Sequence, residues 1–159
     1  MLHLIPAPLH RLALRLAHGV RRRWWRLFRV RLEGCRVLAI DSAGRVLLIR
    51  HSYGSGTWLL PGGGIARGEA PLAAGLRELA EETGLSLAQA RCLAVIDEPL
   101  YGTVNRVHLV CGTAQGDLRC DGREVIAARF FAAADWPDDL SPRLAAQLAG
   151  WIEKVRTAG

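Results

Sequence analysis

The sequence is poor in several features that would assign a class at once. Among its 159 residues only 6% are aromatic, one is methionine and four are cysteine. No CxxC pair occurs among Cys35, Cys92, Cys111 and Cys120, which argues against both a zinc site and a disulfide framework. Buried, reduced thiols in a cytoplasmic protein are the expectation. The longest apolar runs, such as Val37–Ile40 and Val46–Ile49, are far too short to cross a bilayer. Acids are missing before Glu33 and serines before Ser42. Arg11 and Arg15 interrupt the apolar stretch that a secretory signal requires, and a transit peptide would be rich in serine, so this segment is expected to stay on the mature protein.

What is present is a chain 50% hydrophobic and 23% charged, of ordinary single-domain length. The net charge of +6 is unevenly spread, since residues 1–32 hold eight arginines and no acid. The remainder sets 13 lysines and arginines against 15 acids, so the body is nearly neutral. A basic protein invites a nucleic-acid reading, but here the excess is confined to one arm, and no specific nucleic-acid binding is expected. In that arm Leu9, Leu12, Ala13, Leu16, Ala17 and Val20 recur at helical spacing, with arginines on another face. The expectation is a basic amphipathic helix over residues 1–33 and a separate α/β domain over 34–159. The apolar stripe is expected to pack on the domain or on a second copy in a homodimer. The rival is contact with an anionic membrane through residues 9–31, where Trp24 and Trp25 suit an interface.

Past the arm the periodicity shortens. Cys35–Ile40 and Arg45–Arg50 flank Asp41–Gly44 and predict a β-hairpin. Glycines then cluster at 54, 56 and 62–64, before a helix predicted from Glu69 to Thr83, with Pro71 in its first turn and Gly84 past its end. Further strands are expected at Arg91–Asp97, Val104–Thr113 and Val125–Phe131, the second of them central, and a closing helix at Ser141–Arg156. At 100° per residue, Glu78, Glu81 and Glu82 share an arc of about 100°, while Leu72, Leu76, Leu79 and Ala80 lie on the other side as the expected core face. Like charges at this spacing cost about 0.2–0.5 kcal/mol per pair, and Arg77, which reaches Glu81 one turn on, does not neutralise three carboxylates. A hard divalent cation does, and Pro61–Gly64 lets backbone come close to such a ligand. The bland alternative is a solvated acidic helix face.

Gly63, Glu69, Arg77, Glu78, Leu79, Glu81, Glu82, Gly84 and Leu85 fill every position of G-x5-E-x7-R-E-U-x-E-E-x-G-U, with U aliphatic. Seven fixed positions coincide by chance about once in 10⁸ starts. On these residues, and on the lead-in Trp58-Leu-Leu-Pro-Gly-Gly-Gly64, the chain resembles the Nudix hydrolases over residues 34–157. The resemblance implies a Nudix-type α/β/α sandwich around a mixed β-sheet. It also implies Mg²⁺- or Mn²⁺-dependent hydrolysis of a phosphoanhydride bond in a nucleoside diphosphate linked to another group. By the same resemblance Glu78, Glu81, Glu82 and the carbonyl of Gly62 match metal ligands, and Glu69, Arg77 and Gly84 match structural positions of the box. Glu78 or a later acid, for which Glu124 is the candidate, would serve as base, with Glu82 among the catalytic glutamates. Arg50, Trp58 and Gly63 are candidates for contact with a small nucleotide substrate, and Arg106 and Asp97 are unranked beside them. Pro99 and Tyr101, 14 and 16 residues beyond Leu85, point to ADP-ribose and to dinucleoside polyphosphates respectively, and so cancel. His51 and His108 have no partner at a recognisable spacing. The alternative function is a non-catalytic nucleotide-binding or sensor module of the same fold.

Overall fold

In a computed structural model that describes residues 32–100, 103–120, 122 and 124–157, Asp41 reverses the chain. Its carboxylate accepts the N–H of Ala43 and of Arg45, and Gly44 takes a positive φ of 76°. This turn joins β1 (Leu32–Ile40) to β2 (Val46–His51). The two strands meet only at Ile40 and Val46; beyond that the segment 59–64 is wedged between them. Ile49 exchanges both backbone hydrogen bonds with Leu59, at 2.8 and 3.0 Å. On the other side the N–H of Val37 donates to Pro61 O at 2.8 Å, and that of Cys35 to Gly63 O at 2.9 Å. The glycine lead-in therefore satisfies strand backbone that would otherwise be buried unpaired.

The remaining strands are β3 (Ser86–Leu100), β4 (Thr103–Gln115) and β5 (Val125–Phe131). They complete a five-stranded sheet of order β3-β4-β1-β2-β5, in which β1 and β4 run parallel and the other pairs antiparallel. The centre is thus β1, with β4 beside it. β3 is longer than its sequence pattern indicates, because bulges between Ala88 and Arg91 and between Cys92 and Ala94 interrupt the alternation without ending the ladder.

A helix covers each face of the sheet. Helix α1 (Pro71–Thr83) begins with proline in its first turn and stops at Gly84, where φ is 71° and the N–H bonds to Ala80 O. It packs over Val37, Ala39, Leu47 and Leu85. Helix α2 (Pro142–Thr157) is capped by Ser141 Oγ, which accepts the N–H of Leu144 at 3.1 Å. It lays Leu144, Leu148, Trp151 and Ile152 on Leu38, Leu48, Leu109 and Phe131. Sandwiched in this way, Val46–Ile49 are fully buried, as expected of a strand covered on both faces. No helix among the described residues is long and apolar enough to span a membrane.

Two expectations need correction. The buried face of α1 is Ala74, Gly75, Leu79, Glu82 and Thr83, and Ala80 is exposed. A Cβ on Gly75 would stand 2.9 Å from Val110, so the helix approaches the sheet through its small residues together with Leu79, and Leu72 and Leu76 are only partly buried. That rotation carries Glu82 into the interior. Cys92 and Cys120 are exposed; only Cys35 and Cys111 are buried. The basic arm lies outside the described residues.

Candidate active site

Glu78 and Glu82 project from successive turns of α1 toward the glycine lead-in. Glu82 is buried, and each of its oxygens is engaged: the N–H of Gly62 donates to Oε2 at 2.9 Å, and Nε2 of His51 stands 2.8 Å from Oε1. Glu78 lies against the α-carbon of Gly63, where an added Cβ would come within 2.5 Å of its carboxylate. Burial raises the pKa of Glu78, and the charges of Glu82 and Glu81 add to that rise, while Arg77 beside it opposes them. Glu81 is exposed and 3.4 Å from Arg77, the helical neighbour pair expected from the sequence.

Arg77 holds the loop to the helix. Its Nε and Nη2 donate to the two oxygens of Glu69 at 2.9 and 3.0 Å, and Nη2 also reaches Gly64 O at 3.2 Å. Nη1 donates to Glu78 at 2.8 Å. Glu69 in turn accepts the N–H of Ala66 at 2.9 Å, closing the turn ahead of the helix. The Arg77 guanidinium, then this N–H, hold the Glu69 pKa at about 2, down from an ordinary 4.5. A carboxyl that ionises more readily when folded stabilises the fold fully above its unfolded pKa, and that contribution fades as pH falls toward the folded value. Wild-type stability is therefore expected to drop between about pH 5 and 2, and Glu69→Gln to flatten that part of the profile. Thermal melts at stepped pH check this, and parallel profiles would contradict it.

The donor set suits a hard cation in kind: two carboxylates flank one glycine loop and a third is one turn away, all oxygen. Among the described residues no three acidic, His or Cys side chains converge on a single point; Glu78 is engaged by Arg77 and Glu82 by His51.

The other candidates sit around this centre. Tyr53 donates its hydroxyl to Glu124 Oε1 at 2.6 Å, so Glu124 is half-buried and engaged rather than a loose loop charge. Arg50 pairs with Asp139 and lies 4.8 Å above the ring of Trp58, which meets Phe131 edge-on. Arg106 and Asp97 pair with each other on an exposed surface. Trp58 also lines an open cavity of about 280 Å³ with Arg36, Leu60, Glu98, Leu144 and Gln147. The cavity lies beside the lead-in, since Trp58, Leu59 and Leu60 line it. In its wall Arg36 binds buried Glu98 through two hydrogen bonds of 2.9 and 2.8 Å.

Sequence reasoning missed three of these residues. His51 has its partner in Glu82, and Arg36 and Glu98 face one another across the sheet; His108, also without an expected partner, pairs with Glu33 at 2.9 Å. The available signal was a charged residue at an inward position of a strand pattern, as Arg36 and Glu98 are.

Comparison with known proteins decides the family. The model of the NUDIX domain matches residues 31–155. The chain belongs to the Nudix hydrolases. Its membership makes it an enzyme acting on nucleotide pyrophosphate bonds. A Bacillus subtilis protein named as a candidate 8-oxo-dGTP diphosphatase is 26% identical over 117 residues, covering 73% of this chain and 76% of that one. A Mycobacterium tuberculosis protein named as a candidate 8-oxo-dGTP diphosphatase 2 is 41% identical over 90 residues, covering 51% and 57% respectively. Among solved structures, a MutT NUDIX hydrolase from Burkholderia pseudomallei superposes with a TM-score of 0.67 at 29% identity, over 79% of this chain and 98% of that one. In Nudix terms the box is the segment from Gly63 to Leu85, and its first two residues, Gly63 and Gly64, end the wedge between β1 and β2.

Proposed function

We propose that this Nudix hydrolase cleaves a phosphoanhydride bond in a nucleoside diphosphate linked to another group, using Mg²⁺ or Mn²⁺. The observation that carries the reading is the pairing of a complete box with buried Glu82 against Gly62 and half-buried Glu78 against the adjacent Gly63. Glu78, Glu81, Glu82 and the carbonyl of Gly62 would hold the cation. When bound, the cation supplies charge neutralisation at the phosphate oxygens and an activated water, which is most of what phosphoryl transfer requires.

The chain's own groups do the rest. The glycine backbone admits the pyrophosphate closely, and the cavity beside it takes the nucleoside against Trp58. Glu78, whose raised pKa favours proton uptake, and Glu124 are the two candidates to take the proton of the attacking water. Glu124→Gln separates them: as base, its loss removes the acid limb of the pH–rate profile; otherwise the limb persists with Glu78. A small nucleotide is the substrate partner, and the cytoplasm the place of action. For the basic segment at residues 9–31 the partner is the domain itself or a second copy, and robust co-flotation with anionic liposomes would assign it to a membrane instead.

The test of substrate class is a hydrolysis screen over (d)NTPs, oxidised dGTP, ADP-ribose, NADH, dinucleoside polyphosphates and nucleotide sugars. The names of the two relatives put oxidised dGTP first in that panel. Preferred cleavage of one member, with kcat/KM well above the others, is the expected result. Uniformly intact substrates that nevertheless bind tightly would identify a sensor module instead.

A further inference from the structure

The geometry points to His51 as a positioning residue for the Glu82 carboxylate, braced from behind by Tyr53. The inference rests on the reading of Glu82 as one of the carboxylates that hold the cation. A buried carboxylate needs partners, and Glu82 has two from different parts of the fold: the Gly62 N–H from the loop and the His51 ring from the end of β2. Turning the carboxylate breaks one of these bonds, so together they set its orientation. Each oxygen keeps a second lone pair for a cation.

His51 is itself fixed. Its side chain is 11% exposed, and its ring stacks on Tyr53 with centroids 4.8 Å apart and planes 25° from parallel. Tyr53 is anchored through its hydroxyl to Glu124 at 2.6 Å, and the N–H of Ser52 between them donates to Glu124 O at 2.9 Å. The ladder between β2 and β5 slips a residue between Arg50 and His51. His51 follows Leu47 at even spacing along β2, so it stands on the face of the sheet that the box helix covers. With a proton on Nε2 the ring donates to Glu82, the arrangement by which an outer-shell group orients a metal-holding carboxylate.

The test is Mn²⁺ binding to the full chain, read from the loss of the free-ion electron paramagnetic resonance signal, with thermal melts in EDTA alongside. His51→Phe keeps the stack on Tyr53 and removes the N–H. His51→Gln places an amide N–H at the reach of Nε2, and His51→Asn is too short to do so. His51→Phe and His51→Asn are expected to weaken Mn²⁺ binding about 10–100-fold, with His51→Gln close to wild type. A merely structural role predicts instead that affinity does not separate Gln from Asn when their melts agree. If His51→Phe unfolds, the Gln and Asn pair still decides. Glu82→Gln is the control for the underlying reading and is expected to abolish tight binding. Wild-type affinity in the His51 variants, with binding lost in Glu82→Gln, overturns the role of His51 and leaves the metal reading standing. Wild-type affinity in Glu82→Gln overturns both.

Discussion

Glu82→Gln is expected to lower kcat/KM on the order of 10³-fold while its melting temperature in EDTA stays close to wild type. The rate falls because the substitution removes one of the charges that would hold the cation, and such a loss is felt at the transition state by about 4 kcal/mol. The fold survives because glutamine keeps the volume and both buried contacts. Its amide oxygen still accepts the Gly62 N–H, and its NH₂ faces a His51 ring that takes the other tautomer. The like charge beside Glu78 also disappears, which relieves the helix slightly. A solvated acidic face would give small and similar effects from Glu78, Glu81 and Glu82. Turnover near wild type in this variant would remove Glu82 from the machinery.

The neighbouring glycines are expected to fail in different ways. Gly62 sits at φ 145°, and a Cβ there would come 2.2 Å from Cys35 O and 2.9 Å from the α-carbon of Arg36. Both obstacles are backbone of the central strand, so Gly62→Ala should cost about 3 kcal/mol of stability as the wedge is pushed from β1. At Gly63 the obstacle is the flexible end of Glu78, 2.5 Å away. Gly63→Ala should therefore keep most of its stability and lose activity, because Glu78 is displaced from the loop. Chemical denaturation and initial rates on the two purified variants separate these outcomes. Equal stability loss in both would contradict the assignment of the two contacts.

Much of this was readable from residue order, for reasons that differ by element. The box glutamates were, because helical spacing alone places Glu78, Glu81 and Glu82 near one another. So was the turn from β1 to β2, since Asp41 and Gly44 make it from local contacts, although the two strands then part and pair only at Ile40 and Val46. The wedge at 59–64 was not, because nothing in its composition alternates and its partners in β1 lie more than twenty residues upstream. The contact of His51 with Glu82 spans 31 residues, and that of Arg36 with Glu98 spans 62, distances at which no periodicity carries information. The face of α1 was read correctly at Leu79 but misplaced at Leu72, Leu76 and Ala80, because hydrophobicity favoured them whereas close approach to Val110 required Gly75. That single packing choice is what buries Glu82, so the strongest feature of the site is a tertiary one.

The central claim is that the box glutamates support cation-dependent cleavage of a nucleotide pyrophosphate bond. The most direct measurement is ³¹P NMR of the full chain with the substrate panel, once in excess Mg²⁺ and once in excess EDTA. At least one member is expected to split into two phosphorylated products with Mg²⁺, and to stay intact in EDTA and in Glu82→Gln. Cleavage that continues in EDTA, or a whole panel left intact in Mg²⁺ by a folded protein, would contradict it.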